Sequence, residues 1–147
     1  MTTKNKIKLG LDIGKIRHII SRKIDAAIIK AVDNNLTVAQ AYAIDFIMLE
    51  GRDKDIFQKD FEKGFDLKRS SISLMLNNME KNDLIQRVPV SEDARLKKIM
   101  LTDKAHKLYE KISPAIDSVE DRLSKDITED ELKVFYKVLD KIRNNLE

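Results

Sequence analysis

The sequence predicts a mostly α-helical protein with one short β-hairpin, in the order α-α-α-α-β-β-α-α. Apolar residues recur at steps of three and four in six segments, which is the spacing of one helix face. Between residues 84 and 101 this spacing gives way to two short strand-like runs. Only four Gly and two Pro occur in 147 residues, and 42% of the residues are apolar, which is enough to bury a core between helices.

The first two helices are predicted from different patterns. Isoleucines spaced by three or four from Ile13 to Ile28 indicate an amphipathic helix that ends near the turn residues 33–35. The second helix, capped by Thr37, contains the run AQAYAIDFIML, which is apolar on nearly every side. We therefore expect the second helix at the centre of the core, with its end at Gly51.

A short third helix and a polar fourth helix follow. Asp55, with Gln58 three residues later, forms a capping-box pattern at the start of the third helix, and Gly64 should close it. One side of the fourth helix is apolar and consists of Ile72, Met75, Leu76 and Met79. The other side carries Ser70, Ser73, Leu74, Asn77, Asn78 and Lys81.

Two strands and two long helices complete the chain. Residues 84–90 and 95–101 are predicted as strands around the loop 91–94, and Pro89 suits an edge strand. Thr102 should cap the fifth helix, and the pattern from Thr128 to Glu131 is a capping box for the sixth. Both helices have an apolar stripe.

This order predicts a winged helix-turn-helix with flanking dimerisation helices. We divide the chain into an N-terminal dimerisation helix (1–34), a winged helix-turn-helix DNA-binding module (35–102) and C-terminal dimerisation helices (103–147). The flanking helices must bury their apolar stripes, and a second copy of the chain is the nearest supply of apolar surface, so we expect a homodimer. The predicted interface residues are Ile13, Ile112, Ile116, Leu132, Phe135, Leu139, Ile142 and Leu146.

Composition excludes several classes of function. The chain has no cysteine, which rules out disulfides and thiolate metal sites and fits a cytoplasmic location. No apolar run is long enough to span a membrane. No phosphate-binding or dinucleotide glycine motif and no nucleophile arrangement occurs, so we expect no enzyme activity and no cofactor. His18 and His106 are far apart in sequence, and no metal site is predicted.

The fourth helix and the hairpin carry the chemistry that suits DNA. A polar helix can enter the major groove, and a basic hairpin can reach the neighbouring minor groove. Net charge is only +3, and residues 64–104 carry eight Lys or Arg against six Asp or Glu, so charge alone does not indicate nucleic acid. Lys68, Arg69 and Lys81 suit phosphate contacts, although surface charge also serves solubility.

Two asparagines and one leucine are candidates for contacts with bases. The amide of Asn77 or Asn78 can pair with N6 and N7 of adenine, and Leu74 can contact a thymine methyl group. Each of these residues could equally be an ordinary surface residue without a contact to DNA. Asp93 and Arg95 can brace the loop, and the guanidinium suits a narrow minor groove at the same time.

These residues resemble the multiple-antibiotic-resistance regulator (MarR) family of transcription factors. The resemblance covers roughly residues 10 to 146, judged by element order and motif spacing. It is carried by Leu36-Thr37 with Gln40, by the run RSSISLMLNNMEKNDLI, and most specifically by EDARLKKIMLT. In the family an Asp-x-Arg loop leads into a strand that ends in Leu-Thr, which Asp93, Arg95, Leu101 and Thr102 match.

The resemblance implies a dimeric regulator, usually a repressor, that binds pseudo-palindromic double-stranded DNA. The predicted major-groove residues are Lys68, Arg69, Ser70, Ser71, Ser73, Leu74, Asn77, Asn78 and Lys81. The predicted wing residues are Arg87, Asp93, Arg95, Lys97 and Lys98. Leu74 stands where the family often has a polar or basic residue, and Ala94 where some members have a second wing arginine.

The resemblance also implies release of DNA by a small, often aromatic or phenolic, effector. The predicted effector cleft is bordered by Ile16, Ile20, Lys23, Tyr42, Phe46 and Met48, although core packing explains all of these except Lys23 equally well. The alternative function is a winged-helix protein-interaction module without sequence-specific DNA binding. Leu74, Ala94 and the modest local charge leave that alternative open.

Overall fold

The order of helices and strands is the one predicted from the sequence. The computed structural model describes residues 8–32, 36–65, 67–92 and 95–147. The elements are α1 (Leu9–Ala31), α2 (Val38–Glu50), α3 (Gln58–Gly64), α4 (Arg69–Lys81), β1 (Ile85–Pro89), β2 (Lys97–Leu101), α5 (Asp103–Leu123) and α6 (Glu129–Leu146). None of the helices in these ranges is both long and apolar enough to cross a membrane.

Helix α2 lies at the centre of the core, as its apolar sequence predicts. Ala41, Ala43 and Ile44 have no exposed surface, and α5 packs against both α1 and α2. From α1 the core receives Ile24 and Ile28. The small alanines let neighbouring helices approach α2 closely, so this helix is surrounded on several sides by other elements.

Three phenylalanines hold the turn between α3 and α4 against α2. The ring centroid of Phe46 lies 4.8 Å from that of Phe61 and 5.4 Å from that of Phe65. Gly64 is required here, since a Cβ at this position would lie 2.7 Å from Cε2 of Phe46. The aromatic cluster therefore fixes where α4 begins.

The hairpin is antiparallel and is tied to the ends of α4 and α5. Ile85 pairs with Leu101 and Pro89 with Lys97, and β1 has only β2 as a neighbour among the described strands, so Pro89 lies at an edge as predicted. The hydroxyl of Thr102 donates to the carbonyl oxygen of Asp83 at 2.6 Å and accepts from the N–H of Ala105 at 3.2 Å. One side chain thus joins the end of α4, the end of β2 and the start of α5.

The structure confirms three helix caps and corrects a fourth. The capping boxes at Thr37 and Thr128 are present, with Gln40 and Glu131 as the reciprocal partners. At α3 the predicted pair of Asp55 and Gln58 does not form. The carboxylate of Asp60 instead accepts from the N–H of Phe57 at 2.8 Å, because the helix starts two residues later than the pattern implied.

Two helix faces expose large apolar side chains. Helix α6 contributes no residue to the core, and Phe135 is 54% exposed. Exposed apolar residues on α1 and α6 include Leu9, Leu11, Ile13, Ile16, Ile19, Val134, Tyr136, Val138 and Leu146. These two faces are the surfaces for which the sequence predicted a dimer.

One residue of the predicted dimer interface is corrected. Ile112 has no exposed surface because α5 packs against both α1 and α2, and its side chain belongs to the core of its own chain. Ile116 also packs against that core. The remaining predicted interface residues, which are Ile13, Leu132, Phe135, Leu139, Ile142 and Leu146, are exposed or half-buried.

Candidate nucleic-acid interface

Helix α4 presents a mostly polar face because the apolar side of the helix is buried. Ile72, Leu76 and Met79 have no exposed surface, and Met75 is also buried. The outward residues are Lys68, Arg69, Ser70, Ser71, Leu74, Asn77, Asn78 and Lys81, all of them exposed. Of the predicted α4 residues only Ser73 is half-buried, so the structure brings the predicted major-groove residues together on one surface.

Helix α3 holds the beginning of α4 through two polar contacts. The side-chain amide of Gln58 donates to Oγ of Ser73 at 2.7 Å. Nε of Arg69 lies 3.2 Å from Oε1 of Glu62. Ser73 is therefore hydrogen-bonded within the protein. Arg69 is exposed, so its guanidinium can readily exchange Glu62 for a phosphate.

The wing strand β1 holds the end of α4. Nη1 of Arg87 donates to Oδ1 of Asn77 at 2.8 Å and lies 3.5 Å from Oε1 of Glu80. The side chain of Arg87 is only 19% exposed. The structure thus places Arg87, predicted as a wing contact, against α4, where it orients the amide of Asn77.

The orientation of Asn77 determines which bases it can recognise. An amide that pairs with both N6 and N7 of adenine must accept through its oxygen and donate through its nitrogen. Here one lone pair of Oδ1 accepts from Arg87, which turns this oxygen towards the wing and leaves the NH₂ group to donate. For the side chain of Asn78, the next residue, the described structure shows no hydrogen bond that would fix its orientation.

The remaining wing residues do not share one direction. Lys97 is exposed opposite Pro89, whereas Lys98 is half-buried opposite Val88, on the other face of the hairpin. Nζ of Lys98 lies 4.0 Å from Oδ1 of Asp55. Arg95 is exposed, and Asp93 lies outside the described residues.

The residues predicted for the effector cleft line several cavities. Tyr42 and Phe46 line a cavity of about 570 Å³ between α1, α2 and the turn before α4. Ile16 and Ile20 line a separate apolar cavity against α6, and Lys23 borders a third. Met48 faces the wing side of α2, because six residues along a helix turn the side chain away from Tyr42.

Acidic side chains surround the cavity that Tyr42 and Phe46 line. Burial, followed by the carboxylates of Asp25, Glu120 and Asp45 in that order, raises the pKa of Tyr42 to about 12. Burial, followed by the neighbouring Asp117 carboxylate, raises the pKa of Asp45. Tyr42 therefore keeps its proton at neutral pH, and negative charge at this site is disfavoured.

Sequence reasoning missed the residues that brace α4. Gln58 and Ser73 are fifteen positions apart, and Arg87 and Asn77 are ten apart, so no local pattern connects them. Asp45 did leave a signal, since it is the one charged residue in the apolar run of α2. Within the described part of the chain, no three metal-ligating side chains lie close enough together to hold a metal ion.

Solved structures identify the type of fold. No protein-family model matches the chain. The transcription regulator MarR from Oenococcus oeni PSU-1 is 27% identical, with a TM-score of 0.77 over 93% of this chain and 99% of that one. MepR of S. aureus, in a DNA complex, is 24% identical, with a TM-score of 0.82 over 98% and 100%.

A third structure is of a protein that senses a small molecule. The organohalide-sensing regulator RdhR-CbdbA1625, in its 2,4-dichlorophenol-bound form, is 19% identical, with a TM-score of 0.71 over 99% of this chain and 88% of that one. The resemblance predicted from the sequence is thereby confirmed: the chain has the fold of the MarR family of winged helix-turn-helix transcription regulators, and its structural neighbours are regulators of that family.

Proposed function

We propose that the protein is a DNA-binding transcriptional repressor that acts as a homodimer on a pseudo-palindromic operator, without catalytic chemistry. The observation that carries this proposal is the exposed polar face of α4 beside the hairpin, with Lys68 and Lys81 at its two ends. The S. aureus neighbour was solved as a DNA complex, which supports DNA as the partner.

In the proposed complex, α4 lies in the major groove and the hairpin reaches the adjacent minor groove. Lys68 and Lys81 contact phosphates, and Arg69 exchanges Glu62 for a phosphate. Ser70, Ser71, Leu74, Asn77 and Asn78 face the base edges. Contacts from α3 and β1 hold the helix in place before DNA arrives, which lowers the cost of ordering these side chains.

The homodimer is proposed from the exposed apolar faces of α1 and α6. A helix that exposes Phe135 and Val138, and has no fully buried side chain in its own chain, requires another apolar surface. Two-fold symmetry then presents two copies of α4 to half-sites about one helical turn apart.

A small molecule that binds the cavity between α1 and α2 would release the DNA. The cavity ends at Phe65 and Leu67, directly before α4, so an occupant can alter the position of that helix. The organohalide-sensing neighbour was solved with 2,4-dichlorophenol bound, which supports an effector for this fold.

A protein-interaction module is the second candidate function. Leu74 is 63% exposed in the middle of the polar face of α4, and an apolar side chain there also suits a protein surface. Salt-dependent binding to a two-fold symmetric duplex, compared with a scrambled duplex, separates the two functions.

Replacement of Arg95 tests the contact with the minor groove. The Arg95→Ala variant should bind operator more weakly and lower the slope of log K against log salt by about one unit, because one cation–phosphate contact is lost. Lys125→Ala, in the turn between α5 and α6, is the matched control and should leave the slope unchanged. An unchanged slope for Arg95→Ala would count against the wing contact.

Replacement of Arg87 tests how Asn77 reads bases. With Arg87→Met the amide oxygen of Asn77 is released, so preference at the contacted base pair should shift towards adenine by about tenfold relative to the other bases. Selection from a randomised operator at constant salt measures this ratio within one protein, independently of overall affinity. The control Asn77→Ala should lose discrimination at that position, and an Arg87→Met profile identical to wild type would refute the assignment.

Replacement of Phe135 tests the dimer. Phe135→Glu places a charge on the apolar face of α6, so sedimentation should show a shift from dimer to monomer, because that carboxylate would have to be buried in the interface. Lys137→Glu lies on the other side of the same helix and should remain dimeric. A wild-type protein that sediments as a monomer would contradict the proposal.

A further inference from the structure

The cavity beside α2 has an apolar body. It encloses about 570 Å³, which is within the range of pockets that hold drug-sized molecules. Its apolar lining consists of Val38, Ala39, Phe46, Leu49, Phe65 and Leu67. The rings of Phe46 and Phe65 meet edge to face at 5.4 Å, so a planar ring system has aromatic walls to pack against.

The charged groups of the cavity are mainly acidic. Three carboxylates line it, Asp25 from α1 and Asp45 and Glu50 from α2, against the single guanidinium of Arg17. Two further carboxylates lie on α5. Glu120 contributes to the raised pKa of Tyr42, and Asp117 contributes to the raised pKa of Asp45. Asp25 and Asp45 are half-buried, so water screens their charges less than it screens those of exposed carboxylates.

The behaviour of Tyr42 and Asp45 agrees with this charge distribution. Both groups have a raised pKa, and in both cases neighbouring carboxylates contribute to the shift. A phenolate or carboxylate ligand would meet the same repulsion, and a cation would relieve it. Tyr42 also lines the cavity, and an aromatic ring is a side chain to which cations are attracted.

We propose that this cavity binds a planar aromatic cation, with its charged nitrogen near Asp25 and Asp45 and its rings against Phe46 and Phe65. This inference rests on the proposed function, since it assigns the chemical class of the effector. It departs from the phenolic class that the family resemblance implies. The charge of the ligand, rather than its aromatic body, is what the carboxylates select.

The test compares two probes that share one ring system. Without DNA, 9-aminoacridine, which is a cation at neutral pH, should bind saturably and at least about tenfold more tightly than acridine-9-carboxylate, as measured by fluorescence anisotropy. Asp45→Asn and Asp25→Asn should each weaken binding of the cation by about three- to tenfold, because each removes one attractive charge. Asp53→Asn, in the exposed turn after α2, is the matched control and should bind as wild type does.

The Asp45→Asn variant should fold. Its raised pKa means that the ionised carboxylate destabilises the fold, and this cost is present above the folded pKa and is lost as pH falls towards 3.8. The variant should therefore unfold at a higher temperature than wild type at pH 7, with the difference narrowing on acidification.

Three results would overturn the inference: equal or tighter binding of the anion, an unchanged affinity of both Asp variants for the cation, or no saturable binding of either probe. Operator binding is measured in parallel on the same preparation. If the protein binds DNA but not the cation, only this inference fails. If it binds the cation but no DNA, the proposed function fails and the ligand class stands.

Discussion

The packing of the inner face of α4 determines what this surface can do. Ile72, Leu76 and Met79 are fully buried, so rotation of the helix would expose them to water at a cost of about 1.5–3 kcal/mol for each side chain. The polar residues between them therefore face outwards. The anchoring of α4 is completed at one end by the three phenylalanines and at the other by Thr102.

Packing orients α4, and polar contacts then fix the side chains on and beside its outer face. Gln58, Glu62 and Arg87 come from elements on either side of α4 and reach Ser73, Arg69 and Asn77 respectively. Single polar contacts of this kind add little stability. Their effect is on geometry, because each limits the rotamers that a recognition side chain adopts, and the contact from Arg87 also selects which atoms of Asn77 face outwards.

Local patterns predicted the elements and most of their caps. The threonines at positions 37, 102 and 128 cap helices as expected, because a cap depends on residues within one turn. Patterns of this kind do not say which element covers a face. Ile112 and Ile116 lie on the apolar stripe of α5 that was assigned to the dimer, yet α5 packs against both α1 and α2, and Ile112 is buried in the core of its own chain.

The same limit applies to the candidate sites. The exposed face of α4 followed from helical periodicity, whereas the bracing partners were invisible because they are ten and fifteen residues away in the chain. The sequence predicted part of the cavity lining, namely Tyr42 and Phe46. It did not predict the carboxylates that give the cavity its charge, because they come together only when α1 packs on α2.

The position of α4 in the duplex is the central claim, and dimethyl sulfate footprinting on a selected operator tests it most directly. We predict protection of guanine N7, in the major groove, at two symmetric patches about one helical turn apart, with protection of adenine N3 in the minor groove beside each. A bound operator whose guanine N7 atoms all stay reactive, or a single unpaired patch, would contradict it.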